Sequence, residues 1–177
     1  MRIAWIDVET TGIDAKEEQL LQVACIVTDG ELNVLDEEGY AKEIYYSERE
    51  VAGMKEHVDS YVLDMHAKTG LWDKLTEGKA LNLVDQELKE YLARFANHRE
   101  AFLGGNSITL DRNFINAYLK TSADFLHYRS IDVSSFAIMA EEWYNGLYFE
   151  KKYLHDAMSD IRESIAQLKF LRQTAFK

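Results

Sequence analysis

At 177 residues the chain can bury one hydrophobic core of ordinary domain size, and its 47% apolar content without a low-complexity tract excludes general disorder. The 20 basic residues against 31 acidic ones, a formal charge of −11, argue against an extended duplex as partner, because affinity there comes largely from phosphate neutralisation. A short nucleic acid in a local pocket, or an acidic site that gathers divalent cations, stays open.

No run approaches the ~18 consecutive apolar residues of a membrane helix. The N-terminus enters a strand pattern at once, without the layout of a signal peptide. Cys25 is the only cysteine, so no internal disulfide framework exists, and a reduced, cytoplasmic setting away from membranes is expected.

In chain order, residues 2–9 read as a buried strand and "LLQVACIVTD" (20–29) as a second. Asp29-Gly30 predicts a tight hairpin turn into a third strand region within "ELNVLDEEGYAKEIYY" (31–46). Residues 48–76 carry helical signals broken by "KTG" (68–70), and Leu81, Val84, Leu88, Tyr91, Leu92 and Phe95 mark an amphipathic helix. "AFLGGNS" (101–107) reads as a short buried strand ending in a glycine turn, before a helix with Asp111, Phe114, Ile115, Tyr118 and Leu119 on one face. "YRSIDVSS" (128–135) reads as another strand, with Ser134 or Ser135 a natural cap for a helix carrying Phe136, Met139, Ala140 and Trp143. "EWYNGLYFEKKY" (142–153) is expected to be irregular, and Ile161, Ile165, Leu168 and Leu171 place a last helix. Early strands followed by strands alternating with helices imply an α/β fold, a mixed five-stranded sheet flanked by helices, in one domain over residues 1–177.

Three places carry chemistry. Asp7 and Glu9 lie two apart in the first strand, so both point to one face, where like charges repel. They fall at the C-terminal end of a core strand, where α/β folds place their sites, and a divalent cation between them would turn repulsion into attraction. Asp111 heads a helix on its apolar face; a helix-start carboxylate suits the macrodipole, yet its apolar neighbours make solvation awkward and a partner is expected. In "LHDAMSDIRES" (154–164), His155 and Asp160 can address one point if His155 lies in the preceding loop and Asp160 in the first helical turns.

A strand Asp-x-Glu, a mid-chain helix-head Asp and a C-terminal His-x4-Asp together resemble the DEDDh branch of 3′→5′ exonucleases. "WIDVETTGID", "CIVTD", "GNSITLDRNFI", "HYRSIDVSS" and "HDAMSDIRESIAQL" are similar, in order and spacing, to the blocks of the oligoribonuclease family, and "MHAKTGL" to its His-Thr-Gly-Ser-Gly-Leu block. Thr10 stands where that family has methionine, and Tyr61 where it has a wedging tryptophan.

The resemblance implies a ribonuclease H-like sheet and two divalent metal ions, Mg²⁺ or Mn²⁺, some ~3.5–4 Å apart. Asp7 would bridge both, Glu9 and Asp160 would serve one and Asp111 the other, with His155 as general base. It further implies a 5′-phosphate cap of Ser107, Arg129 and Ser134, bases wedged by Ile13 and Tyr61, and His66 and Tyr128 approaching substrate across a homodimer. The expected activity is 3′→5′ hydrolysis of short single-stranded RNA, especially dinucleotides, to nucleoside 5′-monophosphates. The alternative is a broader exonuclease trimming single-stranded DNA or RNA 3′ ends, which usually needs a basic or aromatic track. A non-catalytic binding protein would have lost at least one of the ligands, and none is lost.

Overall fold

A computed structural model describes residues 1–151 and 156–175. Strand β1 (Arg2–Thr10) pairs antiparallel with β2 (Leu20–Asp29), which pairs antiparallel with β3 (Tyr40–Glu43). On its other side β1 runs parallel to β4 (Ala101–Gly105), and β4 parallel to β5 (Ser130–Asp132). The sheet is therefore mixed, in the order β3-β2-β1-β4-β5.

Helices α1 (Glu48–His57), α2 (Ser60–Thr69) and α3 (Leu71–Lys74) form a small cluster around Leu21, Val51 and Trp72 beside the sheet. Helices α4 (Leu81–Ala93), α5 (Thr109–Tyr118) and α6 (Lys120–Phe125) cover one face of the sheet, and α7 (Val133–Trp143) and α8 (Ala157–Thr174) the other.

The strand alternation of β1 explains this layering. Ala4, Ile6 and Val8 join the core under α4 and α5, whereas Ile3 and Trp5 join the core under α8. Asp7 and Glu9 continue the Ile3–Trp5 parity, so the strand that anchors the core delivers two acids to the α8 side at its end. Pairing of β1 with β4 runs from Arg2–Ala101 to Trp5–Gly104, which leaves Asp7 beyond the last parallel pair. Close approach here requires glycine: a Cβ on Gly104 would sit 2.6 Å from Ile3 Cγ2.

Three local expectations are corrected. The turn after β2 is tight, with Glu31 N and Asn33 N donating to Asp29 Oδ1 at 2.8 and 2.9 Å, but the returning strand breaks after the Thr28–Val34 bridge. The acidic run 36–38 leaves the ladder, tied by Arg94 to Asp36 and by Arg162 to Glu37, and β3 begins only at Tyr40. The strand expected over 128–135 is three residues long, because Asp132 rather than a serine caps α7, its carboxylate accepting from Ser134 N at 2.9 Å. That early start carries α7 to Trp143, so Glu142 and Trp143 are helical, not irregular.

Candidate active site

The site forms where β1 outruns β4 and faces the first turn of α8. Asp7, Glu9 and Asp160 each offer a carboxylate oxygen, and these oxygens all lie within 4.8 Å of one another. Asp160 reaches this point because Asp156 caps α8, accepting from Ser159 N at 3.1 Å and Ser159 Oγ at 2.7 Å. Asp111 comes from the opposite face of the sheet. It is the third residue of α5 and its Oδ1 accepts the Val8 N–H at 3.1 Å, between the two strand acids.

Burial and like charge set the electrostatics. Burial, then Asp111, Glu9, Asp160 and Asp156, hold the Asp7 carboxyl well above the usual carboxylate range. Glu9 is pushed up to about 8, by burial first and then by Asp160, Asp156 and Asp111. Asp111 is pushed up to about 7 by burial and Asp132, against the pull of the Val8 N–H. Closely set, mutually repelling carboxylate oxygens are the donor set that a hard divalent cation requires, and a cation would reverse each of these shifts. The residues present therefore fit divalent metal binding.

Behind Glu9 lies His66. Its ring is 0% exposed, Nε2 is 2.8 Å from Thr10 O, and Nδ1 is 3.8 Å from Glu9 Oε2. Trp72 meets the ring edge-on at 5.4 Å. Within its own chain the ring anchors the end of β1.

The other expected residues are only partly brought together. Ser107 and Ser134 are neighbours: their hydroxyls lie 3.1 Å apart and Ser107 N donates to Ser134 Oγ at 2.9 Å. Ser107 takes a left-handed φ of 52°, which turns its N–H also toward Asp132 Oδ1 at 3.0 Å. Arg129 is exposed and holds its guanidinium 5.4 Å from the centroid of the Tyr128 ring. Tyr128 is 77% exposed, Ile13 82% and Tyr61 63%, all apolar surface open to a ligand. His155 lies outside the described residues.

Two supporting residues had no sequence signal strong enough to single them out. Asp132 holds Ser107 and Ser134 together, and the Asp-x-Ser spacing before α7 was its only trace. Arg112 Nη2 donates to His127 O at 3.1 Å and Ser130 Oγ at 2.8 Å, fixing the segment that carries Tyr128 and Arg129.

A mixed sheet with acids gathered at the end of its first strand defines a nuclease class, and the exonuclease family profile matches residues 4–168. The chain is a 3′→5′ exonuclease. An oligoribonuclease of Francisella tularensis subsp. tularensis is 36% identical over 173 residues, covering 97% of this chain and 94% of that protein. One of Leifsonia xyli subsp. xyli is 37% identical over 179 residues, covering 99% and 84%. This chain belongs to the oligoribonuclease family.

Among solved structures, an exonuclease I from Methylocaldum szegediense superposes with a TM-score of 0.74 at 17% identity, covering 99% of this chain. E. coli exonuclease I in complex with a dT13 oligonucleotide gives 0.67 at 16% identity, covering 97%. This chain spans 41% of each of those longer chains, and the likeness is one of fold.

Proposed function

We propose that this exoribonuclease acts on very short single-stranded RNA, dinucleotides above all, releasing nucleoside 5′-monophosphates. The observation that carries the reading is the convergence of Asp7, Glu9 and Asp160 beside Asp111, in a chain 36% identical to an oligoribonuclease over 97% of its length. The net charge of −11 supports a short substrate, since a dinucleotide needs no long basic track.

Two divalent ions, Mg²⁺ or Mn²⁺, suit an all-oxygen donor set, with Asp7, Glu9, Asp111 and Asp160 to hold them. Ions of this kind polarise a phosphodiester and neutralise charge on a leaving oxygen. The chain itself fixes where they would act. The strand sets Asp7 and Glu9 on one face, the α8 cap presents Asp160, and the Val8 N–H aims Asp111. His155 is the proposed proton acceptor, an imidazole whose ordinary pKa near ~6.5 suits that role. Ser107 and Ser134, with Arg129 as the family resemblance has it, form the phosphate cap, while Ile13 and Tyr61 offer exposed apolar surface to the bases. Tyr128 acts across a homodimer, which exposed Ile138 and Trp143 on α7 support. The whole chain, 1–177, serves as one catalytic domain in the cytoplasm.

The test is a length series. With Mn²⁺ or Mg²⁺ and 5′-labelled RNAs of two to twenty nucleotides, dinucleotides should be degraded fastest. Equal rates on longer strands would replace this reading with the broader single-strand exonuclease.

A further inference from the structure

Helix α8 carries more than Asp160 along its inner stripe. Ser164, one turn on, accepts a hydrogen bond from Asn106 Nδ2 at 2.7 Å. Gln167, ~10 Å along the axis from Asp160 at 1.5 Å per residue, is only 6% exposed, and its Oε1 has no hydrogen-bond partner among the described residues. A buried amide oxygen without a partner is costly unless a ligand or water meets it. Gln167 lines a cavity of about 290 Å³ between α7, α8 and the 147–151 segment. Ser107, Ser134 and Asn106 line the same cavity, so it holds both serines expected to meet a phosphate.

Lys151 is the only cation among the described residues that line this cavity; Arg129 is not among them. Lys151 is half-buried and makes no ion pair or hydrogen bond with a described residue. Burial pushes its ammonium down from the ordinary lysine value, and the charges of Glu163, Asp160, Asp7 and Asp132 oppose that shift. A half-buried cation that shares a cavity with hydroxyl and amide groups is the chemistry of a phosphate receptor.

We propose that Lys151 is a second cation, beside the Arg129 of the phosphate cap, that receives a phosphate group of the bound oligonucleotide. The inference rests on the short-RNA reading above. The phosphate is either the terminal 5′ group or the internal phosphodiester, and the substrates distinguish them.

The experiment compares wild type, Lys151→Ala, Lys151→Arg and Arg129→Ala on one dinucleotide with a 5′ phosphate and on the same dinucleotide with a 5′ hydroxyl. Lys151→Ala should raise KM by ~10-fold or more with kcat within ~2-fold, the size of one lost charged hydrogen bond. Lys151→Arg should restore most of it. A rise confined to the 5′-phosphorylated substrate assigns the terminal phosphate; an equal rise on both assigns the internal one. Unchanged KM on both substrates, a loss in kcat alone, or a KM defect found in Arg129→Ala but not in Lys151→Ala would overturn the proposal. Wild type that fails to cleave either dinucleotide overturns the short-RNA reading itself. Unaltered thermal melting of Lys151→Ala excludes a folding defect as the cause.

Discussion

Among the described residues carboxylates are buried at two places, and their surroundings differ. Asp85, on α4 under the sheet, accepts from Thr121 N, Ser122 N and Ser122 Oγ, each at 2.8 Å, and so caps the N-terminus of α6. Its negative charge is met by oriented donors within the chain. At the end of β1 the reverse holds: the charges that reach Asp7 are those of Asp111, Glu9, Asp160 and Asp156, all of one sign. A carboxylate whose donors come from its own fold is structural. Carboxylates gathered against one another await something from outside the chain.

The largest expected effect separates the two directly. Asp160→Asn should lower turnover of a dinucleotide by ~10³-fold or more, because a ligand that positions several kcal/mol of charge stabilisation is lost. Its melting temperature without metal should hold or rise, since one of the repelling charges is gone. Retained turnover would refute the assignment of Asp160 as a metal ligand.

Asp85→Ala should do the opposite. With three donors left facing an apolar gap, the expected cost is about 3 kcal/mol of stability. At this chain length that lowers the melting temperature by ~6–12 °C, while turnover per folded molecule stays within ~2-fold. A stable but inactive Asp85→Ala protein would erase the distinction between the two regions.

The acid cluster also gives the metal-free protein a pH signature. Glu9 is pushed up to about 8 and Asp111 to about 7, whereas in the unfolded chain both ionise near the ordinary carboxylate value of ~4. Between those limits the folded state holds more protons than the unfolded one, so stability falls as pH rises. The contribution is fully present below pH ~4 and is lost as pH passes about 7 to 8. Melts of chelated protein from pH 5 to 8 should show this decline, and Glu9→Gln should flatten it. Added Mn²⁺ should raise the melting temperature more at pH 8 than at pH 5.5, because the ion binds the ionised carboxylates. A flat metal-free profile would show that the cluster is better solvated than its packing implies.

How much of this could be read from the residues follows from the range of each interaction. Asp7 and Glu9 were legible because strand alternation is local and forces both onto one face. Asp160 was legible from the apolar stripe beside it together with the family pattern. The Val8–Asp111 hydrogen bond joins residues 103 positions apart, so the need for a partner could be inferred but not the partner itself. The same holds for His66: its motif named the residue, while only the packing of α2 against Trp72 and Thr10 shows that the ring is enclosed. Asp132 hid behind two better-known capping residues, and the broken third strand behind a turn that was correctly foreseen. Lys151 had no pattern at all, since its position depends on three segments meeting around one cavity.

Thr10 provides the smallest and sharpest test of the comparison. It stands where the family resemblance expects methionine, one residue past Glu9, at the bulge where β1 leaves its register with β2. Its side chain does little for the cluster: the hydroxyl donates to Gly12 O at 2.6 Å and shapes the turn that follows. The link to the site runs through the backbone, where Thr10 O meets His66 Nε2 at 2.8 Å, and any residue at this position keeps that carbonyl. Thr10→Met should therefore cost about 1 kcal/mol, one side-chain hydrogen bond, and leave dinucleotide turnover within ~2-fold. His66→Ala removes the other half of the contact and should lower turnover more than Thr10→Met does, by loosening the strand end that aims Glu9. If Thr10→Met proves the more damaging of the two, the turn rather than the buried histidine holds the acids in place.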